Sequence, residues 1–216
     1  MRWPRVIPIF PLPDVVLFPG VPLPLHIFEP RYCEMVRDAS NGAAIIGMTL
    51  LRGDWQQDYY GSPPIFAVGC AGRMVSVENL ADGRFNIMLR GAREFTIVRK
   101  VSGKSYRQAQ VTWRPAAANV RLDTERRNRI NDLLERFLAG EPETPARRLL
   151  DDESLSDELL VNFFSYAVEV PGLEKQALLE ATSLAQRARS LCTVLEFHLE
   201  ARRLGAQGAG ASERYH

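Results

Sequence analysis

Residues 11–32, PLPDVVLFPGVPLPLHIFEPRY, constrain this chain more than any other stretch, because they place prolines at 11, 13, 19, 22, 24 and 30. A helix does not carry them, since each proline removes a backbone donor and clashes with the preceding turn. Between them lie short apolar runs at 15–18 and 23–28. Runs bounded this way read as short buried strands and corners. A helical phrase opens only at Glu29: Pro30 suits a first turn, and Tyr32, Met35 and Val36 follow at helical spacing. The stretch therefore predicts strand, proline corner, strand and a short helix ending near Asn41 and Gly42.

The period of two continues downstream. Residues 43–51, AAIIGMTLL, predict a buried strand, and 65–77 another, with Gly69 and Gly72 as bulges or points of close approach. Between them 52–64, RGDWQQDYYGSPP, is a polar and aromatic connection. Asp82-Gly83 is a hairpin signal ahead of Phe85, Ile87 and Leu89. Gly91 is read as an interruption, with strands resuming at 94–100 and 106–113. The pattern predicts a small, closed or nearly closed, mostly antiparallel barrel, which limits exposed edges. The phenylalanines at 10, 18, 28, 66, 85 and 95 read as its core.

Residues 115–119, PAAAN, read as a linker, after which the apolar period changes to about 3.6. Asp123 caps a predicted helix whose apolar face is Ile130, Leu133, Leu134, Phe137 and Leu138. A second helix is predicted over 157–170, a short third over 173–181, and a long last one to about Leu204 opened by a Ser183/Gln186 capping box. The fold class is thus α+β: a β subdomain with one short helix over 1–116, a helical subdomain over 121–204, and a flexible tail over 205–216.

Hydrophobic residues are 46% and charged residues 25%, ordinary for a soluble globular chain, and net charge is +1. Residues 1–120 carry net +5 and 121–216 net −4, but the basic residues of the first half are scattered along the sequence. No whole-chain field attracts nucleic acid or anionic membrane. Cys33, Cys70 and Cys192 lie far apart with no CxxC pair, which suggests neither a zinc knuckle nor a disulfide framework. The odd cysteine count and the absence of a signal peptide predict a reducing cytoplasm, and no apolar run approaches the ~20 residues of a membrane span.

Catalytic chemistry finds little support. Gly103-Lys104-Ser105 imitates the end of a phosphate loop, but the glycine five residues before Gly103 is replaced by Val98, and the triplet reads as a turn between strands. Histidines occur only at 26, 198 and 216, and His26 reads as structural. Lysines occur only at 100, 104 and 175, none in a phrase suited to an activated nucleophile. No catalytic, cofactor or metal residue is assigned. Trp55, Tyr59 and Tyr60 differ from the other aromatics because their neighbours are polar. They mark either a contact surface or a lid folded back over the barrel.

Three phrases carry a family resemblance: IPIFPLPDVVLFPGVPLPLHIFEPRY at 7–32, PPIFAVGC at 63–70 and DGRFNIMLRGAREF at 82–95. In order and spacing they resemble the amino-terminal, substrate-binding domain of Lon proteases, and a weaker helical likeness continues through 171–204. The ATPase domain and the Ser-Lys protease domain of full Lon enzymes have no counterpart in this sequence. The resemblance implies a PUA-like barrel followed by helices, in a bacterial protein of cytoplasmic quality control. It further implies a non-catalytic module that binds exposed apolar segments of unfolded or tagged polypeptides, with a protease or chaperone as partner. Trp55, Tyr59 and Tyr60 are the candidate peptide-binding residues. The rival reading is RNA binding, as in some PUA-like barrels, though clustered Lys/Arg with interleaved aromatics is missing from the sequence. A small-molecule enzyme is the third reading, disfavoured by the lack of a catalytic constellation.

Overall fold

The computed structural model describes residues 3–58, 61–116, 121–140, 144–152 and 154–212. In chain order the elements are β1 (Val6–Leu12), β2 (Pro22–Ile27), α1 (Pro30–Ser40), β3 (Ile45–Leu50), a short 3-10 helix (Trp55–Asp58), β4 (Val68–Asn79), β5 (Phe85–Val101), β6 (Arg107–Trp113), α2 (Thr124–Phe137), α3 (Pro145–Leu150), α4 (Asp157–Ala167), α5 (Gly172–Glu180) and α6 (Leu184–Ser212). They form two compact units. One comprises Met1–Ala116 with Val168–Glu180; the other comprises Ala117–Ala167 with Ala181–His216.

The first unit is built on a six-stranded sheet of order β2-β5-β4-β3-β1-β6, in which β6 also pairs with β5. Five strands therefore close a ring, and β2 stands outside it against the first half of β5. The fold is α+β, as the sequence predicts, but the barrel is not a clean one. β1 and β3 pair in parallel, because β2 and α1 intervene and return the chain in the same direction. β5 is 17 residues long, so its two halves serve different partners, β2 early and β6 late.

Three local expectations are corrected here. The run 15–18 is no strand: Val16, Leu17 and Phe18 are buried in an irregular segment. That segment is tied to Gly91 instead, through Gly20 N–H to the Gly91 carbonyl and Gly91 N–H to the Val21 carbonyl, both 2.8 Å. Gly91 therefore does not break β5; it makes room for the crossing. Phe28 is 62% exposed rather than core, stacked on His26, and Phe66 is only half-buried. Phe10, Phe18, Phe85 and Phe95 are buried.

The ring closes on one core, to which β1 gives Ile7 and Ile9, β3 Ile45, β4 Ala71, β5 Phe95, and β6 Ala109 and Val111. Phe95 is fully buried, a burial worth roughly 2–3 kcal/mol. Space for its ring comes from Gly47 and Gly69: a Cβ on either would lie within 3.0 Å of the ring's Cζ. The β4–β5 register shifts between Ala71 and Gly72, which face Arg93 and Gly91, so Ala92 of β5 is the extra residue. α5 joins this unit, with Gln176 Nε2 donating to the Val68 carbonyl at 3.1 Å. The Arg114 guanidinium donates to the α5 carbonyls of Leu179 and Glu180, at 2.9 and 3.0 Å, while paired with Glu94 at 3.0 Å. A cation at a helix C-terminus complements its free carbonyls and dipole.

The second unit is helical. The Asp123 side chain caps α2 by accepting from Arg126 N–H at 2.8 Å, and the apolar face from Ile130 to Leu138 is buried as its spacing predicts. α3 escapes the sequence pattern because it is only 6 residues long; Thr144 caps it and Pro145 occupies its first turn. α4 buries Leu160, Val161 and Phe164, while Phe163 is only half-buried. Asn162 and Arg187 are buried together, the guanidinium donating to Asn162 Oδ1 at 2.5 Å. Ser183 caps α6, and Gln186 reaches back to Thr182. The α6 backbone is helical to Ser212, past the expected end at Leu204. Among the described residues no helix is long and apolar enough to cross a membrane. The linker residues 117–120 lie outside the described residues.

Candidate functional site

The first unit carries a cleft of about 630 Å³ at one end of the ring. One wall is formed by Arg52, Gly61, Ser62 and Pro64, the other by the turn 102–106 between β5 and β6. The floor is aliphatic, made by Ile9, Ile65, Ala67, Ile97 and Ala109.

Each wall has a local cause. The loop leaves β3 and returns through a bridge between Leu51 and Ile65 and an Arg52 N–H bond to the Pro64 carbonyl at 2.9 Å. Within it the Asp58 carboxylate accepts from Ser62 N–H at 3.0 Å, which closes the turn after the 3-10 helix. The turn 102–106 reverses at Gly103, whose φ of +120° suits glycine. The triplet 103–105 is thus a hairpin turn followed by a strand, not a phosphate cradle before a helix. α1 pins it: Ser105 Oγ donates to Glu34 at 2.6 Å, and Tyr106 OH and Lys104 Nζ both donate to Asp38, at 2.7 and 2.8 Å. These bonds, Lys104 first and Tyr106 second, hold the Asp38 carboxyl below its ordinary value. Burial first, then the bond to Asp38, pushes the Tyr106 phenol up.

The lining carries Arg31, Arg52, Lys100, Lys104 and Arg107 and no acidic side chain. Arg31 pairs with Glu29 at 2.9 Å and Lys104 with Asp38. Arg52, Lys100 and Arg107 have no carboxylate within ion-pair distance among the described residues. Lys100 Nζ reaches Ser62 Oγ at 3.4 Å, and Arg107 donates to the Pro63 carbonyl at 2.8 Å. Burial pulls the Arg107 guanidinium below its ordinary value, opposed by Tyr32 and Asp58 and reinforced by the neighbouring Arg31. A half-buried cation whose nearest counter-charge, Asp58, stays beyond ion-pair distance costs free energy that an incoming anion in direct contact would return.

Of the candidate residues from the sequence, Trp55 opens the 3-10 helix on the loop, half-buried and not among the cleft-lining side chains. Tyr59 and Tyr60 lie outside the described residues. The cleft cations were not singled out from the sequence, because 31, 52, 100, 104 and 107 are scattered along it and meet only once the ring closes. His26 lies elsewhere, on β2, where its Nδ1 donates to Asn86 at 2.8 Å and Asn86 donates to Glu78 at 2.9 Å, a row across three strands. His198 packs edge-on to Phe197, and His216 is outside the described residues. Among the described residues no group of three or more His, Cys, Asp or Glu is placed to hold a metal ion.

Fold and cleft define a class: an α+β domain with a mixed, ring-closing sheet, an added helix and an aliphatic, cation-rimmed cleft at the ring's end. The chain belongs to the ATP-dependent protease La (LON) substrate-binding domain family, whose model matches residues 6–196. It is 27% identical to a Lon protease of Flavobacterium johnsoniae over 201 residues, covering 91% of this chain and 24% of that protein. It is also 27% identical to Lon protease 2 of Myxococcus xanthus, covering 89% of this chain and 24% of the relative. The chain thus spans about a quarter of the length of these relatives. Two solved structures share the fold. A Lon N-terminal domain protein from Xanthomonas campestris matches with a TM-score of 0.66 at 24% identity, covering 87% of this chain and 97% of that one. The N-terminal domain of a Mycobacterium avium complex Lon protease matches with a TM-score of 0.70 at 19% identity, covering 89% and 99%.

Proposed function

We propose that this chain is a non-catalytic polypeptide-recognition module that binds exposed apolar segments of unfolded or tagged proteins in the cytoplasm and presents them to a protease or chaperone. The observation that carries the reading is membership of the Lon substrate-binding domain family over 6–196. The aliphatic cleft floor supports it, because an extended peptide gains affinity by placing apolar side chains against such a surface. Recognition of this kind requires no bond-making, so neither ATP nor a nucleophile enters the mechanism. Arg52, Lys100 and Arg107 orient the peptide by its polar groups, while Ile65, Ala67 and Ile97 take its apolar side chains.

The test is fluorescence anisotropy with a reduced, alkylated model protein and with its native, disulfide-intact form. The unfolded form is expected to bind and the native form to bind at least about tenfold more weakly. Equal binding of both forms, or none of either, overturns the reading. ATP hydrolysis and cleavage of the unfolded protein are expected to stay at blank level; turnover abolished by a point change in this chain would show an enzyme.

A further inference from the structure

We propose that the cleft bounded by Arg52, Gly61, Ser62 and Pro64 on one side and the turn 102–106 on the other selects acidic polypeptide segments, in which Asp or Glu side chains flank an aliphatic residue. The inference rests on the polypeptide-binding reading and specifies its substrate class.

Charge complementarity carries it. Five cationic side chains line the cleft and no carboxylate does. Two of the five are neutralised by Glu29 and Asp38. The remaining three come from different elements, Arg52 after β3, Lys100 near the end of β5 and Arg107 at the start of β6. One terminal carboxylate answers one of them; three separate cations call for several negative charges along a segment. Arg107 is the anchor, since it is half-buried and its guanidinium bonds only to the Pro63 carbonyl among the described residues. A carboxylate there forms a charge-assisted, fork-like pair in a partly desolvated site.

The floor decides between an acidic peptide and a nucleic acid, which also carries several negative charges. Nucleobases need exposed aromatic faces on which to stack. Among the described residues the cleft offers Ile65, Ala67, Ile97 and Val101 with accessible surface, while the aromatics that line it, Tyr32 and Tyr106, are buried at 5% and 6% exposed. Aliphatic floor and cationic rim together fit an aliphatic side chain between acidic ones.

The test uses the full chain and four labelled probes: a peptide alternating Glu with Leu, its Gln counterpart, the Glu peptide with an amidated C-terminus, and a single-stranded RNA of equal charge. The Glu peptide is expected to bind at least about tenfold more tightly than the Gln peptide, and to lose most of that margin between about 50 and 500 mM salt. Amidation is expected to leave binding within about twofold, since one terminal charge is a minor part of the total. In Arg52→Gln/Lys100→Gln, both side chains lying at the rim, the Glu-over-Gln ratio is expected to fall to near one with an unchanged melting temperature. Arg107→Gln is expected to do the same, and the double variant keeps the test valid if Arg107→Gln unfolds. If the unfolded model protein binds but the Glu and Gln peptides bind alike, this proposal falls and the polypeptide-binding reading stands. If no polypeptide binds, both fall. Loss of binding on amidation alone assigns the cleft to a chain terminus, and tighter binding of the RNA assigns it to nucleic acid; either overturns acidic-segment recognition.

Discussion

Gly91 and Phe18 touch backbone to backbone where the proline-rich segment crosses β5: a Cβ at position 91 would lie 1.9 Å from the Phe18 carbonyl oxygen. The Gly91 N–H and carbonyl are also both used by this crossing, bonding to Val21 and Gly20. No side-chain rotation relieves a backbone clash of this kind. Gly91→Ala is therefore expected to cost roughly 3 kcal/mol or more, at the high end for a single substitution. Urea denaturation of the wild type and the variant checks it, and a loss below about 1 kcal/mol would mean the two segments separate easily.

Arg114 holds α5 by its last carbonyls. Arg114→Ala removes two bonds to the carbonyls of Leu179 and Glu180 and leaves Glu94 without this cation. The expected destabilisation is roughly 2–3 kcal/mol, since bonds from a charged donor exceed neutral ones and a partly buried carboxylate loses its partner. Hydrogen exchange gives a local readout: the amides of Gly172–Glu180 should lose protection ahead of those of β5.

The tie between α1 and the cleft wall has a pH dependence of known sign. Asp38 is held below its ordinary value of 3.8. Its contribution is therefore present above 3.8 and lost as pH falls through the lower folded value. Lys104 is raised above 10.5 by the same bond, so its contribution is present below 10.5 and lost as pH rises through the folded value. Between these limits the pair is intact. Asp38→Asn should lower stability at neutral pH, and its difference from wild type should shrink below pH 3.8. A difference that persists unchanged into acid would show that the carboxylate is not the source of the effect.

Phe163 and Phe164 meet edge to face, yet only Phe164 is fully buried. Phe164→Ala is expected to cost roughly 3–5 kcal/mol, as large core truncations do, and Phe163→Ala at least about 1 kcal/mol less. The sequence pattern ranks the two alike, because period 3.6 gives a broad apolar face and does not say which edge faces inward. Equal losses would place both rings in the core.

The same limit separates what was legible in the sequence from what was not. Spacing alone gives the buried face of α2, the Asp123 cap and the Asp82-Gly83 turn, where Gly83 has φ +83°. These features depend on neighbours within a few residues. The parallel β1–β3 pair, the double duty of β5 and the docking of 13–21 on Gly91 depend on distant partners, which no local period encodes. The cleft is of the second kind. Arg52 and Arg107 are 55 positions apart in number and face one cavity only because β1 pairs with both β3 and β6. The loop wall was legible as a polar, aromatic, glycine-flanked connection, but its charge complement was not.

The loop 52–64 supplies the last test of the binding reading. Trp55 is half-buried at the start of the 3-10 helix, and the loop behind it is closed by the Asp58 bonds to Gly61 and Ser62. Polar neighbours surround Trp55, Tyr59 and Tyr60 in the sequence, and aromatics in such a setting carry about 2 kcal/mol or more each at the centre of an interface. Replacing all three with Ser is expected to weaken binding of the unfolded model protein by at least about tenfold. The melting temperature should move little, because the Asp58 bonds that close the loop are untouched and none of the large side chains of the ring core is changed. Rim and loop contribute separately, so the Glu-over-Gln preference set by Arg52, Lys100 and Arg107 should survive the aromatic change even as overall affinity drops. Unchanged binding would remove the three aromatics from the site. A large fall in melting temperature would instead make them a lid packed on the ring, with the cleft alone left to recognise the peptide.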